Sequence, residues 1–329
     1  TIRTIWDRSK RISKMERIVE REVSMKILSF GSLNIDYVYS LDHFVQKGET
    51  ISSRSLDIFS GGKGLNQSVA LGRAGAEVYH AGAIGTDGDF LTDILKDAGV
   101  RTEYVRRLSS VRTGNAIIQR DSKGDNCIIL YGGANQSIEK AQVDETLDQF
   151  PEGDFLVLQN EINELPYIME QAHKKGLRIV LNPSPMDEKI TELPLSFVDI
   201  FILNEVEACQ ILKLPEAERR EAAAKGNELC RRLSEAFPEA MIVLTLGENG
   251  SVCLDHGVLT EQPIYRTETV DTTAAGDTFT GYFVAGLIRG LSVGEAMDLA
   301  AKAASITVSG LGAAPSIPAL AQVEGMKAR

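Results

Sequence analysis

The sequence predicts an α/β fold, a mostly parallel sheet covered by helices on both faces, together with a second, smaller sheet. Short apolar runs alternate with helical stretches over most of the chain, which is the pattern of βαβ units. Two regions, 34–60 and 113–131, interrupt that rhythm with strand-like alternation of polarity. At about 150 residues per domain, a chain of 329 residues also has room for more than one unit.

Taken in order, the runs at 26–30, 78–82, 155–159, 177–181, 198–203 and 241–245 read as strands of the main sheet. Helices are expected between them at 66–74, 89–97, 164–175, 205–213 and 217–236, with another at 294–308. The off-rhythm regions read as two strand pairs, turned at Lys47-Gly48 and at Asp121-Ser122-Lys123-Gly124. Alternation implies one wet face, so these four strands should form their own sheet, discontinuous in sequence. The expected organisation is a basic extension over 1–25, an α/β domain over 26–320 carrying the small sheet (34–60 and 113–131), and a tail over 321–329.

Composition narrows the function. Hydrophobic residues at 43% and charged residues at 25% are globular values, and the net charge of −11 disfavours nucleic acid and anionic membranes as partners. Residues 1–24 carry seven Lys/Arg and four Asp/Glu, a local +3, without the apolar run of a secretory signal. Nothing reaches the roughly 18 apolar residues of a membrane span. Cys127, Cys209, Cys230 and Cys253 form no CxxC pair, and His43, His80, His173 and His256 do not cluster, so zinc is not expected. Reduced, buried thiols in a cytoplasmic chain are the expectation.

Polar residues gather where strands end. Asn34 and Asp36 follow the first strand, and Asn160-Glu161 follow the run at 155–159. Asn182-Pro183-Ser184-Pro185, Asn204-Glu205-Val206-Glu207 and Thr245-Leu246-Gly247 close three more. Ligands of open parallel sheets bind outside the carboxyl ends of the strands. Any one of these residues also suits a helix cap or a turn; five in succession suggest a ligand with many hydroxyls.

Two glycine-rich segments carry the chemistry. Gly61-Gly62-Lys63-Gly64-Leu65-Asn66-Gln67 lets backbone approach a ligand and adds a cation, but it matches neither a Walker A loop nor a Gly-x-Gly-x-x-Gly fingerprint. The segment Asp271-Thr272-Thr273-Ala274-Ala275-Gly276-Asp277 opens an apolar helix, whose unpaired amides are a natural phosphate site. Asp277 is either a first-turn acid favoured by the helix dipole or, with no histidine competing, a general base for an attacking alcohol.

These two segments resemble the two signatures of the PfkB carbohydrate kinases, and the match is closest to the ribokinase branch of that family. Gly31-Ser32-Leu33-Asn34-Ile35-Asp36, Gly48-Glu49-Thr50, Asn182 to Pro185, Asn204 to Glu207 and Thr245 to Gly247 extend the resemblance from about residue 26 to 318. It implies a three-layer α/β sandwich with a small β lid, and transfer of the γ-phosphate of ATP to a primary sugar hydroxyl, D-ribose giving ribose 5-phosphate. By the same resemblance Asp277 removes the hydroxyl proton, while amides of Ala274, Ala275 and Gly276 hold the developing charge. Asn34, Asp36, Gly62, Lys63, Asn66 and Glu161 bind the other hydroxyls. Asn204 and Glu207 lie near the phosphates with Mg²⁺ held through water, and Thr245 and Gly247 line the nucleotide path. Asp271, Thr273, Thr307, Gly310, Gly312 and Ser316 surround K⁺, which the glycine-rich loop at 309–316 is suited to wrap. A homodimer through the lid is implied as well.

Leu65 stands where ribokinases usually have Ala, Ala274 where the wider family has Gly, and Ala301 where a polar neighbour of adenine is common. Another pentose, a ketohexose or a nucleoside therefore stays open as acceptor, with Tyr37, Tyr39 or Phe59 available to stack on a base. A sugar- or nucleotide-sensing protein without catalysis is the alternative of another class, and the intact Asp277, Lys63 and Glu207 speak against it.

Overall fold

The computed structural model describes residues 25–326, so the basic segment 1–24 and residues 327–329 lie outside the described residues. Thirteen strands occur among those described. They are β1 (Ile27–Phe30), β2 (Asn34–Ser40), β3 (Ser55–Gly61), β4 (Val78–Ile84), β5 (Arg101–Arg107), β6 (Gly114–Arg120), β7 (Asn126–Tyr131), β8 (Phe155–Gln159), β9 (Arg178–Asn182), β10 (Ile200–Asn204), β11 (Met241–Thr245), β12 (Ser251–Asp255) and β13 (Val258–Gln262).

The main sheet runs β13-β12-β11-β10-β9-β8-β1-β4-β5. It is parallel except for the hairpin β12–β13, which pairs antiparallel with β11 at one edge. Helices cover both faces. They are α1 (Lys63–Arg73), α2 (Asp89–Asp97), α3 (Lys140–Leu147), α4 (Leu165–Lys175), α5 (Glu205–Ile211), α6 (Glu216–Ala223), α7 (Gly226–Ala236), α8 (Ala275–Ile288), α9 (Val293–Val308) and α10 (Leu320–Glu324). Adjacent strand residues feed opposite cores: Leu28, Leu156 and Phe201 join one apolar cluster, and Ile27, Val157 and Ile202 join the other. This burial on both faces is why the strands read as continuous apolar runs. None of the described helices is long and apolar enough to cross a membrane.

The second sheet has the order β3-β2-β6-β7, with β2 and β6 parallel and the outer pairs antiparallel. Its strands come from the two off-rhythm regions, and both expected turns are present, with Gly48 and Gly124 at positive φ. The expectation of one dry and one wet face fails at the edges. All of β7 is exposed, as is β3 from Ser55 to Phe59.

Other differences have local causes. β5 was invisible in the sequence because Arg101-Thr102-Glu103-Tyr104-Val105-Arg106-Arg107 is a charged edge strand, of the kind that blunts a sheet edge. The helix expected over 217–236 is two helices, broken at Ala224 and Lys225; the second opens at Gly226, where a Cβ would meet Leu246 Cδ1 at 2.7 Å. α1 begins at Lys63 rather than at 66, because Gly62 turns the chain at φ 92°. Residues 320–324 of the expected tail and its boundary form α10, with Val323 buried and Glu324 3.0 Å from Arg289.

Candidate active site

The carboxyl ends of β8, β9, β10 and β11 open toward the first turns of α1 and α8, and there the predicted residues meet. A cavity of about 210 Å³ is lined by Lys63, Asn182, Asn204, Glu207 and Thr245, and on its far side by residues 274–277 with Thr272 and Thr280. Gly247 does not line it.

Asp277 sits in the first turn of α8, nearly buried at 7% exposure. Each of its carboxylate oxygens accepts one hydrogen bond from α1: Asn66 Nδ2 donates to Oδ2 at 3.0 Å and Gln67 Nε2 to Oδ1 at 3.0 Å. The turn into α8 is set by Ala274, whose φ of 61° is left-handed. As a result the amides of Ala274, Gly276 and Asp277 find no acceptor among the described residues, whereas that of Ala275 reaches Thr272 O at 3.3 Å. The amide cradle therefore divides differently from the expected set, with Asp277 joining it and Ala275 partly engaged. A Cβ on Gly276 would meet nothing within 4 Å, so this glycine keeps a hollow open rather than serving packing.

Lys63 opens α1. Burial works against its charge, but the carboxylates of Asp277, Glu161 and Glu207 outweigh it and raise its proton affinity above the ordinary lysine value. Glu161 Oε2 accepts from the Lys63 amide at 2.8 Å and from Ser32 Oγ. Burial nonetheless leaves Glu161 easier to protonate than an ordinary glutamate. On β2, burial first and the charge of Glu161 second push Asp36 up to about 6. Gly61, paired with Asn34 on the adjacent strand, makes room for it, since a Cβ there would lie 2.2 Å from the Asp36 carboxylate.

Asn34 Oδ1 accepts from Asn135 Nδ2 at 2.7 Å, which leaves the Asn34 amide nitrogen available as a donor. Gly62 joins this group at the N-cap of α1. Thus Asn34, Asp36, Gly62, Lys63, Asn66 and Glu161 come together on the side of the small sheet, with Lys63 and Asp277 facing the cavity.

Asn204 and Glu207 form the capping box of α5. Asn204 Oδ1 accepts from the Val206 and Glu207 amides at 2.9 Å, and Glu207 Oε2 accepts from Asn204 N at 3.0 Å. Both therefore serve the helix as well as the cavity, and Glu207 Oε1 takes no hydrogen bond among the described residues. Beside α8, Asp271 draws a loop inward: Oδ1 accepts from Thr273 N at 2.9 Å and Oδ2 from Gly312 N at 3.1 Å. Thr307 Oγ1 is turned to Thr278 Oγ1 at 3.0 Å and to Ala303 O, and its carbonyl accepts from Gly310 N at 3.1 Å, which leaves that carbonyl one lone pair. Gly310 lies against Ser316, close enough that a Cβ would reach Ser316 Cβ at 2.9 Å.

Sequence reasoning missed Ser32, Asn135, Gln159 and Gln67 as members of the site. Gln67 was within reach, four residues after Lys63 and so on the same helix face.

Residues 24–320 match the model of the pfkB family carbohydrate kinases. The chain is 33% identical to a ribokinase of Staphylococcus aureus over 305 residues, covering 91% of this chain and 98% of that one. The crystal structure of a ribokinase from Cryptococcus neoformans in complex with ADP superposes with a TM-score of 0.81 at 34% identity, over 92% of this chain and 99% of the other. The structure of Arabidopsis thaliana ribokinase complexed with ribose and ATP gives a TM-score of 0.77 at 29% identity, over 92% and 97% of the two chains. A two-sheet α/β architecture, a nearly buried aspartate at a helix N-terminus and a family match across the described domain agree, and the chain belongs to the pfkB family of carbohydrate kinases.

Proposed function

We propose that this kinase transfers the γ-phosphoryl group of ATP to the primary hydroxyl of D-ribose, giving ribose 5-phosphate and ADP. The observation that carries the reading is the placement of the Asp277 carboxylate beside unpaired helix N-terminal amides and facing Lys63. A carboxylate is needed beside a phosphate cradle when a proton must leave the attacking hydroxyl there. In this reading Asp277 accepts that proton. The free amides of Ala274, Gly276 and Asp277, with Ala275 at their edge, stabilise charge on the transferring group. The donor of Asn34, the acceptors of Asp36 and Glu161, and Lys63 and Asn66 orient the vicinal hydroxyls for in-line attack.

Glu207 suits Mg²⁺ held through water, since one hard carboxylate oxygen is left beside Asn204 at the cavity wall. That ion, bound with ATP, would neutralise phosphate charge. The loop at 307–316 suits K⁺ through Asp271 and the carbonyls of Thr273, Thr307, Gly310, Gly312 and Ser316. A cytoplasmic setting, where thiols stay reduced, suits Cys209, Cys230 and Cys253, which are buried and unpaired. A nucleoside acceptor is the second reading, favoured by one observation: Phe59 pairs with Asp36 across β2 and β3 and is 40% exposed on the same face. The opposite face of that sheet exposes Leu56, Ile58, Ile117, Ile129 and Tyr131, and we assign it to a homodimer contact.

With ATP and Mg²⁺, D-ribose is expected to give the highest kcat/KM among pentoses, ketohexoses and nucleosides in an ADP-release assay. Asp277→Asn should lower kcat by a factor on the order of 10²–10⁴ while ribose binding survives in calorimetry; unchanged turnover would remove the proposed base. Replacing Na⁺ by K⁺ should raise the rate, and equal rates would argue against the cation loop. Sedimentation at micromolar concentration should report a dimer that Ile129→Asp dissociates.

Asp36 gives a pH signature. Its folded-state value of about 6 lies above the 3.8 of an unfolded aspartate. Between about pH 4 and 6 the folded chain keeps a proton the unfolded chain has lost, so the Asp36 contribution to stability declines as pH rises through that window. Thermal unfolding should therefore find Asp36→Asn gaining on the parent protein between pH 4 and pH 7.5, while its KM for ribose rises. A difference that does not change with pH would contradict the assignment.

A further inference from the structure

Asp277 is the end of a chain of side-chain amides whose polarity can be worked out from one fixed point. Asn182, at the end of β9, donates from Nδ2 to the carbonyl of Ile202 at 2.8 Å. A carbonyl only accepts, so Asn182 must turn Oδ1 the other way, toward Gln67. Gln67 therefore faces two acceptors, Asn182 Oδ1 at 3.1 Å and Asp277 Oδ1 at 3.0 Å, and must present Nε2 to both. Its own Oε1 then points at Gln159, which donates from Nε2 at 2.7 Å.

Neither glutamine touches solvent appreciably: Gln67 is 0% and Gln159 1% exposed. Gln159 and Asn182 are paired neighbours on β8 and β9, so the sheet itself sets the spacing of the chain. One atom does not fit a purely structural role. Gln159 Oε1 is buried without a hydrogen-bond partner among the described residues. Leaving such an atom unpaired destabilises a fold, and an apolar side chain of the same shape would avoid it.

We propose that Gln67 and Gln159 are positioning residues for the base. Gln159 fixes which end of the Gln67 amide faces Asp277, and Gln67 together with Asn66 then holds the carboxylate in one orientation with an N–H on each oxygen. This rests on the reading of Asp277 as the proton acceptor. It adds a residue, Gln159, that acts on the reaction without contacting the cavity. The amide polarity makes two variants at one position distinguishable. Gln159→Met removes the donor and the unpaired oxygen together. Gln159→Glu places an acceptor against Gln67 Oε1, which either repels it or flips the amide so that oxygen faces oxygen at Asp277.

The test is steady-state kinetics with ATP and D-ribose on Gln67→Met, Gln159→Met, Gln159→Glu and Asp277→Asn, with thermal unfolding of each. Loss of a hydrogen bond to a charged group predicts a fall in kcat of about ten- to a hundredfold for Gln67→Met. The KM for ATP and for ribose should stay within about twofold, because an interaction acting on the base alone is removed. Gln159→Met should lower kcat by a smaller factor, and because it exchanges one unpaired buried oxygen, Gln159 Oε1, for another, Gln67 Oε1, its unfolding temperature should stay close to that of the parent protein. Gln159→Glu should lower kcat further than Gln159→Met. Equal and undiminished kcat in both Gln159 variants, or losses confined to KM, would overturn the proposal. An inactive parent protein on ribose, or an active Asp277→Asn, would instead sink the underlying reading.

Discussion

The site depends on how closely α1 approaches both the first strand turn and α8. Two glycines make that approach possible. A Cβ on Gly64 would lie 2.3 Å from Ser32 N, and one on Gly281 would lie 2.4 Å from Ala70 Cβ. Neither neighbour has room to give, since the first is backbone and the second sits in a fully buried helix face. With side chains at either glycine the helix would stand off by a few tenths of an ångström at least, and overpacking of this kind costs about 1–3 kcal/mol. The functional loss would be larger than the energetic one. Asn66 and Gln67 reach Asp277 only because α1 lies against α8, and Lys63 reaches Glu161 only because its first turn lies against Ser32.

That geometry concentrates negative charge. Glu161, Asp277 and Glu207 are arranged around the ammonium of Lys63 and each raises its proton affinity, with Asp36 acting on Glu161. Burial alone would have favoured the neutral amine, so the lysine is kept charged by its neighbours. Burial first, and the neighbouring carboxylates second, explain why Asp36 and Glu161 bind protons more readily than free carboxylates. For the proposed ATP substrate such a site would be repulsive without further cations. The open amides of α8 supply positive potential on the side of the cavity away from the acid pair, and a hard divalent ion bound with ATP at the proposed Glu207 side would add to it. The net charge of −11 disfavours polyanions as partners and leaves this local arrangement open, because helix amides do not enter a count of ionisable residues.

Most of the fold is legible in the sequence, and so are most of the residues that gather at the candidate site, for reasons that also mark the limits. β1, β8 and β11 were legible because burial on both faces writes an uninterrupted apolar run. β5 was not, because an edge strand is free to be charged. Asp277, Lys63 and Asn34 were legible because glycine-rich turns and strand ends mark backbone that a ligand must approach. Gln67 and Gln159 were not singled out, since their contribution lies in which end of an amide faces the carboxylate. That is decided by the Ile202 carbonyl two strands away from Gln159, and no local pattern encodes it. The strands of the second sheet come from the regions the sequence marks, yet the expected division into a dry and a wet face breaks down at its edge strands. Ile128 and Leu130 are exposed on one face of β7 while Ile129 and Tyr131 are exposed on the other.

The turn into α8 shows how rigidity and strain are combined. A left-handed alanine at Ala274 costs about 1 kcal/mol relative to glycine, and such residues persist where the surroundings over-determine them. Here the over-determination comes from α8, in which every residue from Asp277 to Gly286 is buried and Tyr282 Oη donates to Pro318 O at 2.7 Å. A helix that cannot shift holds its first turn in place, and the left-handed turn then aims the Ala274, Gly276 and Asp277 amides away from any internal acceptor. The first amides of any helix lack an intrahelical acceptor, and Ala274 at the N-cap has no side-chain oxygen to cap them. The left-handed residue therefore sets where these amides point, and the absence of a capping side chain leaves them available for an anion. Because the methyl of Ala274 narrows the turn more than glycine would, it also limits the alternative conformations in which the cradle would be lost.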